Sequence, residues 1–275
     1  MGFLGLFNYS KPGPGIAKDA PKKKTFFVFF ETFFRNFWKF IPINFVYSLI
    51  SIPVITSGIA NAGLTNVARN TALDKHSFGL SDFFDTIKAN FGQALAVGII
   101  NTIVYALLFF NIYFFFMISG KGYLPAICLG LSIGLLFVFY IMNFYVFTLM
   151  ITFNFTIGQL YKNSFKFVFL NMKKNILCSI CILLTTGFFV AIFLLVSHLK
   201  DIILGALVTV IVSALLLPLA KFLIIQYNVF PTIRKYVIDP YYAEHPNDDI
   251  EKRRNLGLEV PEDDEEETEE SVFND

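Results

Sequence analysis

The segment QALAVGIINTIVYALLFFNIYFFFMI, residues 93–118, decides the fold class of this chain. It contains no charged residue, and it is long enough to cross a bilayer because a transmembrane helix needs about 20 apolar residues. Four further apolar stretches lie at 40–56, 124–150, 176–197 and 203–228, and Lys221 in the last is the only charged residue among them. The chain is 55% hydrophobic and only 16% charged. The sequence therefore predicts an all-α fold, a polytopic transmembrane helical bundle with five strong spans.

The distribution of basic residues predicts a sixth crossing. Lysines and arginines are concentrated in residues 11–39, which places the N-terminus in the cytoplasm. With five spans, the basic loop at 162–174 would lie outside, against the positive-inside rule. A short, weakly hydrophobic returning helix at 55–73 removes the conflict and makes both termini cytoplasmic. The alternative is five spans and a surface helix.

The composition of segment 55–73 favours a helix packed inside the bundle. Ser57, Asn61 and Thr65 share one helical face at a spacing of four residues. Gly58 and Ala62 lie beside them. Small and polar residues allow close helix packing within a membrane, so this helix is expected to be shielded from lipid.

Three similar segments precede predicted spans. They read FFETFFRNF at 29–37, FFDTIKANF at 83–91 and VFLNMKKNI at 168–176. Aromatic and basic residues in this pattern indicate amphipathic interfacial helices, and an asparagine could cap the helix that follows. We predict a threefold internal repeat of interfacial helix, outward span and returning span; chance similarity between Phe-rich segments is the alternative. The equivalent asparagines are Asn36, Asn90 and Asn175.

The chain divides into three predicted regions. Residues 1–36 form a cytoplasmic basic arm and an interfacial helix, and residues 37–233 form the transmembrane domain. Residues 234–275 form a cytoplasmic tail, acidic and disordered from about residue 259. Lys22–Lys24 are expected to bind anionic headgroups of the lipid bilayer.

The N-terminal sequence resembles one known family. The pieces FNYSKPGPGIAKDAPKKK at 7–24 and FFETFFRNFWK at 29–39 are similar to YesL proteins, which are bacterial membrane proteins of undefined function. The likeness extends in overall pattern over residues 1–230. The resemblance implies a Gram-positive cell membrane and an association with carbohydrate-utilisation genes. It supplies no activity and no catalytic residues.

The sequence contains no motif that predicts catalysis. It lacks HExxH, a P-loop and a nucleophile elbow, and its histidines show no metal-ligand spacing. We therefore expect no enzyme activity, no cofactor, no metal and no nucleic-acid partner. Lys221 is the only ionisable residue within a strong span, where it could either extend to the headgroups or bind a ligand.

Neutral polar residues in the spans are the remaining candidates for a site. Helix–helix hydrogen bonding is their default role, and lining a saccharide path is the alternative. The polar intramembrane candidates are Asn66, Asn154, Lys221, Gln226 and Asn228.

Two functional hypotheses follow. The first is a non-enzymatic accessory or scaffold protein, linked to carbohydrate uptake or utilisation, with another membrane protein or transport component as partner. The second is a transporter or channel for a small neutral solute such as a saccharide, because transporters often contain repeats. The predicted repeats all enter from the cytoplasm, however, and are therefore parallel rather than inverted.

Overall fold

The computed structural model describes residues 25–75, 79–197 and 202–245, and within them the chain forms helices and turns without a strand. This confirms the all-α fold class. The helices are α1 (Thr25–Arg35), α2 (Phe37–Ser51), α3 (Ser57–Ala72), α4 (Leu80–Ile118), α5 (Tyr123–Thr152), α6 (Ile157–Leu170), α7 (Met172–Ser197), α8 (Ile202–Ile233) and α9 (Asp239–Glu244).

Four helical segments of the described chain are long and apolar enough to cross a membrane. They are Leu80–Ile118, Tyr123–Thr152, Met172–Leu195 and Gly205–Glu244. Between 11% and 28% of the residues in their most apolar windows are buried inside the protein, so most of this apolar surface faces outward. Such extensive exposed apolar surface requires a lipid environment, and the chain is therefore a multi-pass membrane protein.

Helices α2 and α3 are shorter than α4, α5, α7 and α8. They have 15 and 16 residues, which corresponds to about 22 and 24 Å at a rise of 1.5 Å per residue. The bilayer core is about 30 Å thick. The predicted span at 40–56 ends as a helix at Ser51, two residues before Pro53, and it is not among the four long helices. The strong span at 40–56, the fifth of the five, therefore remains a prediction.

The returning helix at 55–73 is present as α3, and most of it is buried. Gly58 packs directly on α4. A Cβ atom added to Gly58 would lie 2.6 Å from the Gly98 Cα atom and would also collide with the Ala94 carbonyl oxygen. The two backbones can approach this closely only because both positions are glycine. The expected packing of Gly58 inside the bundle is confirmed.

The turn between α2 and α3 lies well short of the far end of the bundle. Gly58, at the start of α3, contacts α4 at Gly98. From Gly98, α4 continues to Ile118, which is about 30 Å along the helix. The α4–α5 and α7–α8 pairs therefore extend past the α2–α3 turn, which lies beside the interior cavity described below.

A proline in α8 is compensated by two polar side chains of α2. Pro218 has no N–H to donate to the Ala214 carbonyl, and Ser48 Oγ donates to that carbonyl instead, at 3.1 Å. Asn44, which is completely buried, donates to the Leu215 carbonyl at 2.7 Å. It also accepts from the Leu219 N–H at 2.9 Å. These bonds hold α2 against α8 at the helical turn that Pro218 interrupts.

The three repeat asparagines occupy different helical settings. Asn36 lies between α1 and α2, and Asn175 lies in the first turn of α7. Asn90 lies inside the continuous helix α4, so the interfacial segment and the span are one helix there. Asn36 and Asn90 donate to the carbonyls of Thr32 and Thr86, four residues earlier, each at 3.0 Å.

None of these bonds caps the following helix. The interpretation of Asn36 as a side-chain N-cap is wrong, because its amide bonds back to the helix before it. Asn175 likewise donates backward, to the Phe167 and Val168 carbonyls of α6, each at 3.1 Å. Asn36 and Asn175 therefore bond to carbonyls near the end of the preceding helix, whereas Asn90 bonds to a carbonyl within its own continuous helix.

Each of the three segments packs against a different helix. Tyr227 of α8 donates to Thr32 of α1 at 3.1 Å. Asn66 of α3 donates to Thr86 of α4 at 2.8 Å. In the third segment, Asn175 accepts from the Tyr145 hydroxyl of α5 at 2.6 Å, and Phe167, one residue before the segment, stacks on the same tyrosine ring with centroids 5.1 Å apart. The contacted helices are the three predicted returning helices.

The predicted terminal regions fall mostly outside the described residues. Residues 1–24 of the predicted basic arm lie outside the described residues, as do residues 246–275 of the predicted tail, including its acidic part from about residue 259. Residues Arg234–Ile238 continue from α8 as a π-helical turn, and α9 follows directly.

A polar cavity in the helical bundle as candidate site

A cavity of about 320 Å³ lies between α2, α3, α4, α5, α7 and α8. This volume is at the lower end of the range for small-molecule sites, about 300–1,000 Å³. The polar lining residues are Tyr47, Ser57, Asn61, Thr65, Asn101, Thr102, Tyr105, Tyr140, Asn143, Lys221 and Gln226. A cavity with so many amides and hydroxyls within a membrane bundle is the strongest candidate site in the described part of the chain.

Helices α4 and α5 contribute a cluster of amides and tyrosines. Asn101 donates to Asn143 Oδ1 at 2.6 Å, and Tyr161 donates to Asn101 Oδ1 at 2.8 Å. Asn143 also lies 3.4 Å from the Tyr105 hydroxyl, to which it donates. No acceptor for the Tyr105 hydroxyl proton is found among the described residues, so this group can donate to a molecule in the cavity.

Helix α3 provides a third amide, that of Asn61. Tyr47 of α2 donates to Asn61 Oδ1 at 2.9 Å. Thr65 donates to the Asn61 backbone carbonyl at 2.6 Å. These bonds leave the Asn61 amide N–H groups able to donate, and they fix the orientation of its side chain.

Helix α8 provides one cation and one unsatisfied acceptor. Lys221 lines the cavity, and it also lines a shallow groove between α2 and α8. No carboxylate lines the cavity within the described residues. Gln226 is 1% exposed, and it donates to Thr148 at 2.8 Å while its Oε1 atom has no partner. Leaving a buried carbonyl unpaired costs about 1–3 kcal/mol, and a donor in the cavity would offset that cost.

Further polar contacts run from the cavity toward one end of the bundle. Thr148, which accepts from Gln226, lies one helical turn before Thr152 on α5. Arg69 donates to the Thr152 hydroxyl at 3.0 Å. Arg69 also donates to Asn66 at 2.8 Å, and Asn66 donates to Thr86 at 2.8 Å. The Arg69 guanidinium therefore joins α3, α4 and α5 through neutral groups, and its Nε atom has no partner.

The structure separates the five predicted site residues. Lys221 and Gln226 line the cavity, whereas Asn66 belongs to the adjoining polar contacts of Arg69. Asn228 lies elsewhere and donates to Asn175 at 3.0 Å. Asn154 is exposed in the linker after α5, because that helix ends at Thr152.

Sequence reasoning missed the tyrosines and Arg69. Tyr47, Tyr105 and Tyr140 occur in aromatic-rich spans, where a tyrosine does not stand out from its phenylalanine neighbours. Arg69 lies near the end of the small-residue helix, where a basic residue is ordinary at a predicted span end. Its spacing of three residues from Asn66 is the one signal that could have linked it to a polar site.

The cavity can donate and accept many hydrogen bonds. Within the described residues there is no group of three or more His, Cys, Asp or Glu side chains that could hold a metal ion. The chemistry that the arrangement offers is recognition of hydroxyl and carbonyl groups.

Residues 40–112 of this 275-residue chain match a family of membrane proteins described as "Protein of unknown function, DUF624". The matched part runs from α2 into α4, and it includes the cavity residues Asn61, Asn101 and Tyr105. No curated protein and no solved structure matches the chain. The family similarity thus coincides with much of the cavity wall and identifies no activity.

Proposed function

We propose that this protein binds a small, neutral, hydroxylated solute such as a saccharide in the bundle cavity. It acts as a non-enzymatic accessory component of a membrane uptake system, together with another transport protein. The observation that carries the proposal is the cavity of about 320 Å³ lined by amides, tyrosines and one lysine, without a carboxylate among the described lining residues.

The lining groups are suited to hydroxyls. A hydroxyl both donates and accepts, so it can donate to Gln226 Oε1 while it accepts from Tyr105, Asn61 or Lys221. The aromatic rings of Phe144 and Phe147 provide apolar surface for the C–H face of a sugar ring. A purely apolar ligand would leave these polar groups unpaired, which disfavours it.

We propose further that α2 and α3 form a hairpin that turns back near the level of the cavity. The hairpin length and the contact of Gly58 with Gly98 support this. In the turn, Thr56 donates to the Pro53 carbonyl at 2.8 Å, and Ser57 donates to the Val54 carbonyl at 2.6 Å. Irregular backbone at membrane depth is tolerated where it lines a cavity, as Val54 and Ser57 do.

A returning hairpin brings the chain back to the side from which it entered, as two full crossings would. The positive-inside argument is unchanged, and we propose that both termini are cytoplasmic. The resemblance to YesL proteins supports placement in a bacterial cell membrane.

The threefold repeat is also part of the proposal. The contacts of Thr32 with α8, of Thr86 with α3 and of Phe167 with α5 support it. The second and third interfacial segments pack on the returning helix of the preceding unit. The first segment packs on the returning helix of the last unit.

A matched pair of variants in α4 tests solute binding. Asn101 is buried in the cavity cluster, whereas Asn111 is exposed and donates only to the Leu107 carbonyl of its own helix, at 3.0 Å. Calorimetric titration of purified protein in nanodiscs with a panel of monosaccharides and disaccharides should detect binding by wild type. Asn111→Leu should retain that binding and Asn101→Leu should lose it.

A smaller substitution shows whether a loss of binding results from misfolding. Tyr105→Phe removes one hydroxyl whose proton has no acceptor among the described residues, so the fold should persist. A lost hydrogen bond of about 0.5–1.5 kcal/mol should weaken binding about two- to tenfold. Equal saccharide binding by wild type, Asn101→Leu and Tyr105→Phe would contradict the proposal.

A further inference from the structure

The bundle cavity adjoins the shallow groove between α2 and α8. The groove has a volume of about 270 Å³, and three residues line both spaces: Tyr47, Lys221 and Phe222. The rings of Tyr47 and Phe222 meet edge to face, with centroids 6.0 Å apart. One molecule can therefore extend from the cavity into the groove past the Lys221 side chain.

The groove beyond Lys221 is apolar. Its apolar lining residues there are Val210, Ala214, Leu217 and Pro218 of α8. The polar groups beside them are already bonded, because Ser213 donates to the Val210 carbonyl at 3.0 Å and Ser48 donates to the Ala214 carbonyl at 3.1 Å. Val210 is 61% exposed, and Leu217 and Pro218 are half-buried, so this surface is accessible from outside the bundle. It suits a hydrocarbon chain.

Lys221 lies where the polar cavity and the apolar groove meet. Its ammonium forms no ion pair and no hydrogen bond within the part of the chain that the structure describes. No carboxylate among the described residues lines either space. A charged side chain within a membrane helix is costly, and such residues typically face a cavity and mark the path of a substrate or ion. An anionic group of a ligand is therefore the expected partner of Lys221.

The order of the two spaces along α8 matches the order of the parts of a membrane lipid. The cavity contacts α8 at residues 221–226, and the groove contacts it at residues 210–222. The next residue after the cavity, Tyr227, donates to Thr32 of α1, a helix with exposed phenylalanines and a terminal arginine that is typical of the headgroup region. The cavity therefore lies on the headgroup side of the groove. A lipid likewise has its polar headgroup toward the interface and its chain toward the bilayer centre.

We infer that the bundle cavity and the groove together bind a lipid-linked sugar phosphate. The neutral sugar lies among the amides and tyrosines of the cavity, the phosphate accepts from the Lys221 ammonium, and the hydrocarbon chain lies along the groove. The inference rests on the proposed saccharide site and identifies the class of its ligand. An ordinary anionic phospholipid with a small headgroup would offer fewer hydroxyls to the cavity wall, and a free sugar phosphate would leave the groove empty.

Ligand-dependent unfolding of the full chain tests this inference. Purified protein in a neutral detergent would be titrated with isoprenyl phosphates that carry glucose, galactose, mannose or N-acetylglucosamine, and the unfolding temperature would be recorded. The comparison ligands are the same sugars as free 1-phosphates, unsubstituted isoprenyl phosphate and phosphatidylglycerol. At least one lipid-linked sugar should stabilise wild type at a concentration at least about tenfold lower than any comparison ligand, because only the lipid-linked sugar contacts the cavity, Lys221 and the groove together.

Two tryptophan variants of α8 test the groove. Val210→Trp narrows the groove from an exposed position, so the core should not be disturbed. The matched control is Ile211→Trp, at a neighbouring position that is 56% exposed and does not line the groove. Val210→Trp should weaken binding of the lipid-linked sugar at least about fivefold, and Ile211→Trp should keep wild-type affinity. Lys221→Gln should weaken it at least about tenfold, because a hydrogen bond between two charged groups is lost.

The outcomes separate this inference from the proposed saccharide site. Equal stabilisation by unsubstituted isoprenyl phosphate or phosphatidylglycerol would identify an ordinary anionic lipid and would overturn the inference. Equal stabilisation by a free sugar phosphate, or equal weakening by the two tryptophan variants, would also overturn it but would leave the saccharide site standing. Binding of no sugar-bearing ligand would overturn both. If Lys221→Gln fails to fold, the ligand comparison in wild type and the tryptophan pair decide.

Discussion

Replacement of Gly58 by alanine tests the close contact between α3 and α4. The added Cβ atom would lie 2.6 Å from the Gly98 Cα atom and 2.7 Å from the Gly98 nitrogen. Ordinary contacts of this kind are about 3.5–4.0 Å, so α3 and α4 must separate by about 1 Å. These contacts are to backbone atoms, which cannot move aside as a flexible side chain could.

The expected cost follows from this geometry. Overpacking of a well-packed interior costs about 1–3 kcal/mol, and separation of the two helices would also reduce the surrounding contacts. Alanine is otherwise favoured over glycine in a helix by about 1 kcal/mol, which offsets part of the cost. We expect Gly58→Ala to lower the free energy of unfolding by about 1–2 kcal/mol, and Gly58→Leu to lower the folded yield markedly.

Gly130 in α5 is the matched control, because a Cβ atom added there would meet nothing within 4 Å. Gly130→Ala should leave the protein as stable as wild type or slightly more stable. Reversible unfolding of both variants by a denaturing detergent, followed by circular dichroism, measures the difference. If Gly58→Ala is as stable as Gly130→Ala, the close α3–α4 contact is refuted.

Two further predictions concern the α2–α8 contact and the topology. Asn44→Leu removes both bonds that the asparagine makes to the α8 backbone. It should lower the free energy of unfolding by about 1–3 kcal/mol in the same assay. A decrease of less than about 0.5 kcal/mol would mean that these bonds do not stabilise α8. Single cysteines placed at positions 166 and 200, in a background without the native cysteines, should react oppositely with an impermeant reagent in intact cells. The position 200 cysteine should be labelled and the position 166 cysteine should not; labelling of position 166 from outside would exclude a topology in which both termini are cytoplasmic.

Charge-free stretches predicted four of the membrane helices, because a helix that crosses the hydrocarbon core must consist mainly of apolar residues. Their ends were less predictable. The span predicted from residue 93 belongs to a helix that begins at Leu80, since no proline interrupts the chain between Leu80 and Ile118 and the Asn90 amide bonds to the Thr86 carbonyl of the same helix. The opposite occurs at Asn171, which separates α6 from α7. No sequence rule distinguishes these two asparagines.

The site was only partly predictable for a different reason. Lys221 and Gln226 stood out because polar residues are rare in a span. Their partners depend on which helices are neighbours, and a single sequence does not contain that information. The bond from Gln226 to Thr148 joins positions 78 residues apart, and the bond from Asn44 to Leu215 joins positions 171 residues apart.

Photochemical mapping of bound saccharide tests the central claim most directly. Wild-type protein in nanodiscs would be irradiated with a panel of photoreactive monosaccharides and disaccharides, with and without excess unmodified sugar, and the labelled peptides would be identified by mass spectrometry. The proposal predicts competable labelling of peptides from α3, α4, α5 and α8 that contain the cavity residues Asn61, Tyr105, Asn143 and Gln226. Labelling confined to the ends of the helices, or labelling that excess sugar does not reduce, would contradict a solute site inside the bundle.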